Sequence, residues 1–368
     1  MTAGLHLERV TDGTGLRELA SEWNGLLAES ATGSLFLRHE WLSTWWDVFG
    51  ADFELRLLLV RDAGGALLGA APLMTGRGPG KLRGRLRHLL FVGQQGETHA
   101  EHLDVLVRRD AAGEVVGELA RGIREETGRW DVLLFERMPA ESPTLAALES
   151  ALGASGLQVE RLRPQASPYL PLPGAWDDLL AAKSRNFRRQ WKNSRNRLAG
   201  QGDVRLLLAG RDVALDEAFD RLVTLHHSRW GDNEGSFRTP RYVEFHRRLS
   251  RVLAAADDLL LALLEVGGET VAARYDFVHG GKVWCFQGGR LPEFERMRAG
   301  TVLTGLVMEH AIQRGLTEYD FLSGEDDYKR RWATQERTLV DLEAFTDRPR
   351  ARWYRRAVRL KGALRRGS

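Results

Sequence analysis

Cysteine is almost missing from this chain: Cys285 is the only one in 368 residues. That excludes an internal disulfide and a cysteine-based zinc site. Long apolar runs are missing too. No stretch reaches the roughly 18 to 20 uninterrupted apolar residues that a membrane-crossing helix needs. MTAGLHLERV at the start lacks the charged-then-apolar order of a signal peptide. No P-loop, dinucleotide fingerprint or metal-ligand cluster appears, and His99 and His102 in GETHAEHLD have no third partner at ligand spacing. No metal is therefore expected, and a soluble, cytoplasmic protein is. Cys285, between Trp284 and Phe286 in KVWCFQ, reads as a core residue of a strand.

What is present is an ordinary globular composition, 43% hydrophobic and 28% charged, on a length that favours two domains. The net charge of +3 hides segregation. Residues 183–197, KSRNFRRQWKNSRNR, hold seven basic residues and no acid; residues 348–368 hold nine and no acid. Setting those sixteen aside leaves 37 basic residues against 50 acidic ones, net −13. Gathered positive charge of this kind suits a polyanionic or phosphate-bearing partner, although two solvated helix faces give the same count.

Two segments look alike. LRLLLVRDAGGALLGAAPLM (55–74) and LLLALLEVGGETVAARYDFV (259–278) are each an apolar run, a Gly-Gly turn and a second apolar run, the signature of a hairpin. The second continues through HGG into KVWCFQGG as a third strand. Each hairpin follows a helix pattern: Trp41, Trp45 and Phe49 in the first copy, and Tyr242, Phe245 and Leu249 in the second, with Pro240 at the helix start. After the first hairpin come HLLFV (88–92), a segment LDVLV (103–107), a helix over 113–127 and DVLLF (131–135). After the second come a helix over 300–315, the strand EYDFL, a YKRRW segment and the strand LVDLEAF. Two related α/β domains are predicted, joined in the Pro-rich stretch RPQASPYLPLPG (163–174).

Chemistry concentrates in the second copy. In QGGRLPEFERMRAGTVLTGLVMEHA, Gln287 and Gly288 close a strand, Arg296 and Arg298 precede Ala299, and Gly300 and Thr301 open an amphipathic helix. Free amides at a helix start, flanked by arginines and a glycine that admits close approach, form a cradle suited to a phosphate or pyrophosphate. In EYDFLSGEDDYKRRWATQ, Tyr328 and Trp332 lie four apart on one helix face, where they read as core or as site. A tyrosine phenol is a proton donor at neutral pH. Base candidates are Asp320, Glu325, Asp326, Asp276 and the pair His226-His227. The basic helix 183–198 sets Phe187, Trp191 and Leu198 on one face. The tail aligns Trp353, Ala357, Leu360 and Leu364 between arginines, a pattern suited to an anionic membrane surface or to RNA.

The run from SRNFRRQWKNSRNRLAGQG through LHHSRWGDNEGSF, the Gly-Gly meander, RAGTVL and YDFLSGEDDYKRRWA resembles the GNAT-fold acetyltransferase domain of CelD-like proteins, which is related to Fem-type aminoacyl-tRNA-dependent peptidyltransferases. SLFLRHEWLSTWW is similar to the first helix of the same family, so the resemblance covers most of residues 30–345. Arg296–Thr301 departs from the GNAT pattern Arg/Gln-x-x-Gly-x-Gly/Ala, having one glycine, shifted. The resemblance implies an α/β (α+β) protein of tandem duplicated GNAT-like domains, each a mixed, mostly antiparallel sheet flanked by helices. A degenerate copy spans 1–165, the acyltransferase domain 175–347, and a basic tail 348–368.

The resemblance also implies that the acyl thioester lies where the strand before YKRRW splays from its neighbour. Tyr328 would then protonate the departing thiolate, with Asp320 as base. Gln287, Gly288, Arg296, Arg298, Ala299, Gly300 and Thr301 would hold acetyl-CoA or another acyl-CoA. Lys329, Trp332, Arg185, Arg188, Arg189, Trp230 and Tyr275 would contact substrate. The expected activity is acyl transfer from acyl-CoA to an amine or hydroxyl of a small or sugar-like acceptor. Alternatives are a Fem-type enzyme that takes its donor from tRNA, and a non-catalytic accessory protein of polysaccharide synthesis. The tail implies peripheral contact with anionic membrane, on its inner face.

Overall fold

The computed structural model describes residues 4–78, 85–95, 98, 100–231, 235–324 and 326–356. The chain divides into two units, Met1–Gln165 with Thr338–Ser368, and Ala166–Arg337. In the first unit β1 (His6–Val10) is followed by helices α1 (Gly13–Glu18), α2 (Ala20–Glu29) and α3 (His39–Phe49). Strands β2 (Glu54–Leu55), β3 (Leu57–Arg61), β4 (Leu67–Ala71), β5 (Leu73–Arg77), β6 (Arg87–Phe91) and β7 (Leu106–Val107) come next. Then come α4 (Ala112–Glu125), β8 (Val132–Pro139), α5 (Pro143–Ala154) and β9 (Gln158–Pro171), whose last residues belong to the second unit. That unit continues with α6 (Trp176–Ala182), α7 (Arg185–Ala199), β10 (Val204–Leu208), α8 (Leu215–Trp230) and α9 (Pro240–Ala255). It goes on through β11 (Leu259–Val266), β12 (Glu269–His279), β13 (Lys282–Arg290), α10 (Ala299–Gln313), β14 (Glu318–Asp320) and α11 (Asp327–Trp332). Strand β15 (Gln335–Phe345) passes to the first unit at Thr338.

The Gly-Gly pairs act as expected. Gly267 and Gly268 turn β11 into β12, and Gly280 and Gly281 turn β12 into β13, all four with positive φ between 60° and 88°. Two-residue hairpin turns demand that conformation, and glycine adopts it without a Cβ penalty. The second unit's strand order is β10-β11-β12-β13-β14-β9, antiparallel except that β14 lies parallel to β13. In the first unit β1, β3, β4 and β7 pair antiparallel in that order, and β15-β8-β6-β5-β2 make a second run with β6 parallel to β8. Both units thus have an antiparallel meander, one parallel pair (β6–β8, β13–β14) and an antiparallel strand beyond it (β15, β9). The duplication is visible in these shared features, although the first unit splits its strands into two runs and adds β7.

The Pro-rich stretch 163–174 is largely strand, since β9 runs through it to Pro171, and the two units divide within it, between Gln165 and Ala166. A proline is tolerated in a strand where its missing N–H is not needed; here the Pro168 carbonyl accepts from the Phe321 amide at 3.0 Å. The predicted strand over 103–107 shrinks to Leu106–Val107. Asp104, fully buried, spends its oxygens on the hydroxyls of Ser142, Thr144 and Thr32 and on the Val105 amide. Of the tail, residues 349–356 are helical, with Ala351 and Tyr354 buried and Trp353 exposed. Ala357, Leu360 and Leu364 lie outside the described residues.

In the second unit the core fills the space between the sheet and helices α6, α7 and α10, with Trp191, Leu303, Val307, Tyr319, Phe321 and Trp332 among its members. Gly305 lets α7 come close to α10: a Cβ there would meet the Trp191 indole at 2.5 Å. That close approach brings the start of α7 near the start of α10, where the site lies.

Candidate active site

Strands β13 and β14 pair only from Lys282–Trp284 opposite Glu318–Asp320. Beyond that β13 runs on to Arg290 while β14 ends, so the parallel pair opens into a cleft. A cavity of about 350 Å³ lies in this unit, walled by Arg274 of β12, Gly288 to Arg290 of β13, the first turn of α10, Arg229 at the end of α8, and Tyr328 and Arg331 of α11. Five arginines line it (229, 274, 290, 298 and 331) against two carboxylates, Glu295 and Asp327. Such an excess of cations, in a concave site, selects an anionic ligand.

The outer end of the cavity is built by the helix start. Arg298 caps α10 in the left-handed conformation (φ 59°) and binds the Gln190 amide oxygen at 2.6 Å. The first backbone bond of the helix runs from the Val302 N–H to the Arg298 carbonyl, so the amides of Ala299, Gly300 and Thr301 precede it. Gly300 leaves open space: the nearest atom to a Cβ there is Arg290 Cδ, 4.0 Å away. Arginines, free amides and an open approach together suit a pyrophosphate.

The inner end is a buried polar network. Arg274 Nη2 donates to Asp276 Oδ1 at 2.7 Å and also to Cys285 Sγ. Tyr319 donates to Asp276 Oδ2 at 2.7 Å, and the Phe286 amide to Oδ1 at 3.3 Å. A bulge in the β12–β13 ladder between Tyr275 and Asp276 re-aims these side chains. The Tyr328 hydroxyl sits 4.0 Å from Cys285 Sγ and takes a hydrogen bond from Arg274. Burial pushes the Tyr328 phenol well above its ordinary pKa, with Cys285 adding to the effect and Arg274 opposing it. Tyr328 therefore carries its proton at neutral pH.

Of the residues singled out in the sequence, Gly288, Arg298, Gly300, Thr301 and Tyr328 line this cavity together. The others lie elsewhere. Gln287 points away to the Ser236 hydroxyl (2.9 Å), Arg296 is exposed, and Ala299 is buried. Asp320 is buried beside the point where the strands part; its carboxylate accepts from the Leu322 amide at 2.8 Å and from Arg337 at 3.0 Å. Burial raises its pKa to about 6, against the lowering by those two partners. Lys329 is buried with its ammonium on the carbonyls of Ser323 and Leu322, where it fastens the loop after β14. Trp332 is a core residue, edge-on to Phe187 at 4.8 Å. Tyr275 is buried on the opposite face of β12, against His246 and Phe219. Trp230 is exposed and stacks on Arg229.

The arginines of the basic stretch are exposed. Arg188 donates to the carbonyls of Ala181 and Lys183 at 2.9 and 2.8 Å, Arg189 binds Asn186, and Arg185 is exposed. Burial holds the His226 ring near a pKa of about 4, so it is neutral, and His227 bonds the Phe237 carbonyl. Glu325 and His99 fall outside the described residues. Sequence reasoning missed Arg229, Arg274, Arg290 and Arg331 as cavity residues. Arg274 had a signal: an arginine and an aspartate at i and i+2 inside an apolar strand share one face.

Residues 185–330 match the family model of the acetyltransferase (GNAT) domain. The second unit holds a GNAT domain. Over more than nine-tenths of its length the chain is similar in fold to many solved structures, three of which follow. FemX is one, at 13% identity and a TM-score of 0.64, over 94% of this chain and 98% of that one. L-PGS from Bacillus licheniformis follows at 13% and 0.51, over 93% and 96%. A tandem GNAT protein from the clavulanic acid biosynthesis pathway matches at 14% and 0.50, over 92% and 98%. No curated protein matches the chain in sequence. At these identities the likeness is one of fold, and both units of the chain take part in it. The GNAT domain places an acyltransferase fold around the cavity; no helix among the described residues is long and apolar enough to cross a membrane.

Proposed function

We propose that the GNAT domain transfers an acyl group from acyl-CoA, acetyl-CoA in the simplest case, to an amine or hydroxyl of a small or sugar-like acceptor. The carrying observation is the cavity itself: a cationic helix start at one end and a protonated tyrosine in the opened strand pair at the other. Arg298 and the amides of Ala299 to Thr301 would hold the pyrophosphate, leaving the pantetheine arm to run along β13 toward Tyr328. Attack by the acceptor nitrogen on the thioester carbonyl forms the C–N bond and breaks the C–S bond. The thiolate takes the Tyr328 proton, and the acceptor's surplus proton passes to solvent, from which the Tyr328 phenolate recovers its own. Both oxygens of Asp320 are engaged by Leu322 and Arg337, so of the two catalytic candidates the geometry favours Tyr328.

The test is calorimetric titration with acetyl-CoA and longer acyl-CoAs, on the wild type and on Arg298→Glu. Micromolar binding that the variant loses supports the reading. No binding to any acyl-CoA overturns it. The excess of cations in the cavity would then favour the second reading, an aminoacyl-tRNA donor, whose binding falls steeply with salt.

A further inference from the structure

Beside the main cavity lies an alcove of about 480 Å³, lined by Lys183, Ser184, Asn186, Phe187 and Gln190 around the start of α7 and by Arg298 and Arg331. The two arginines also line the main cavity, so the two spaces share a wall. The alcove's lining has three cations and no carboxylate. Among the described residues, neither Lys183 nor Arg331 has an ion pair; the Lys183 ammonium donates to the carbonyl of Trp332 and lies 6.0 Å from the ring centres of Phe187 and Trp332, with no carboxylate beside it. Burial lowers the Lys183 pKa to about 8, the mark of an ammonium without counter-charge. Arg298 is held between the two spaces by Gln190.

We propose that this alcove binds a second phosphate group of the donor, separate from the pyrophosphate: the ribose phosphomonoester of a CoA-type ligand. The inference rests on the acyl-CoA reading above and adds to it a specificity that the helix start alone does not give. A pyrophosphate at the start of α10 would account for Arg298 but not for Lys183, which faces only the alcove. A doubly charged phosphomonoester is the group whose charge and hydrogen-bonding capacity match a lysine, two arginines and the Ser184 and Asn186 side chains. Lys183→Ala tests the protein side, and 3′-dephospho-acetyl-CoA tests the ligand side without any risk to folding.

The expected result is that the wild type binds acetyl-CoA roughly ten- to hundredfold more tightly than the dephospho analogue, from charge-assisted bonds to one phosphate. Lys183→Ala should erase most of that preference while leaving the affinity for the analogue unchanged. Equal binding of the two ligands by the wild type overturns the inference and leaves the acyl-CoA reading standing. A preference that survives intact in Lys183→Ala also overturns it. Binding of neither ligand overturns both, and binding of a short RNA hairpin that depends on Lys183, with no effect on acetyl-CoA, assigns the alcove to a backbone phosphate instead.

Discussion

Asp276→Ala should be among the most damaging single substitutions in the GNAT domain. Asp276 is fully buried and Arg274 is 7% exposed. The carboxylate accepts two bonds from Arg274, at 2.7 and 3.3 Å, one from Tyr319 at 2.7 Å and one from the Phe286 amide at 3.3 Å. Removing it strands a guanidinium, a phenol and an amide away from water. Losing one partner of a buried ion pair costs about 3–5 kcal/mol, a fifth or more of the roughly 5–15 kcal/mol that holds a domain folded. The double variant Arg274→Met, Asp276→Leu leaves no buried charge and should recover much of the loss, because the pair's attraction is largely offset by desolvation. Urea unfolding gives the global values, and amide hydrogen exchange along β12 and β13 gives the local ones. A loss under about 1 kcal/mol for Asp276→Ala, or a double variant less stable than the single one, would refute the reasoning.

Tyr328→Phe keeps the ring and removes the proton. Thiol release from acetyl-CoA, screened over a panel of amine acceptors, should slow by roughly 10²–10⁴-fold, while acetyl-CoA affinity by calorimetry changes little; a loss under tenfold would remove Tyr328 from the chemistry. Two glycines should separate fold from site. A Cβ on Gly289 would lie 2.4 Å from backbone atoms of Leu225 and His226, so Gly289→Ala should cost about 1–3 kcal/mol through α8 being pushed off β13. Gly300→Val meets no protein atom as closely at its Cβ and should melt near the wild type while losing acyl-CoA affinity; the opposite pattern would place the ligand elsewhere.

The meander β11–β12–β13 and helix α10 were legible because local rules decide them: glycine pairs set the turns, and apolar spacing sets the helix. The helix start with Arg298 and Gly300, and the tyrosine at 328, were legible for the same reason, as each is a short pattern on one element. The other four cavity arginines were not. They come from α8, β12, β13 and α11, and only the tertiary fold brings Arg229, Arg274, Arg290 and Arg331 to one space. In the basic run that stood out, Arg188 fixes the backbone before its own helix, and Lys183, at the edge of the run, lines the alcove. On a six-residue helix both Trp332, one turn after Tyr328, and Lys329, next to it, are buried, the first in the core and the second on the carbonyls of the preceding loop.

Asp320 separates a structural role from a catalytic one through pH. Its pKa is raised from an ordinary 3.8 to about 6 by burial, so between those values the folded chain binds a proton that the unfolded chain has released. Stability from this group is therefore present in full below about pH 4 and is lost as pH rises through about 6, a change on the order of 3 kcal/mol. Asp320→Asn has no such titration. Subtracting its unfolding free energy from that of the wild type at each pH should give a difference that becomes more favourable to the wild type by about that amount between pH 7 and pH 4. A flat difference would mean that Arg337, 3.0 Å away, keeps the carboxylate ionised throughout. The same two proteins decide the chemistry. If Asp320 takes the acceptor's proton, acyl transfer rises with pH through about 6 and collapses in Asp320→Asn. If it only clamps Leu322 and Arg337 at the point where β13 and β14 part, Asp320→Asn retains most of the rate, and whatever pH profile remains belongs to the acceptor.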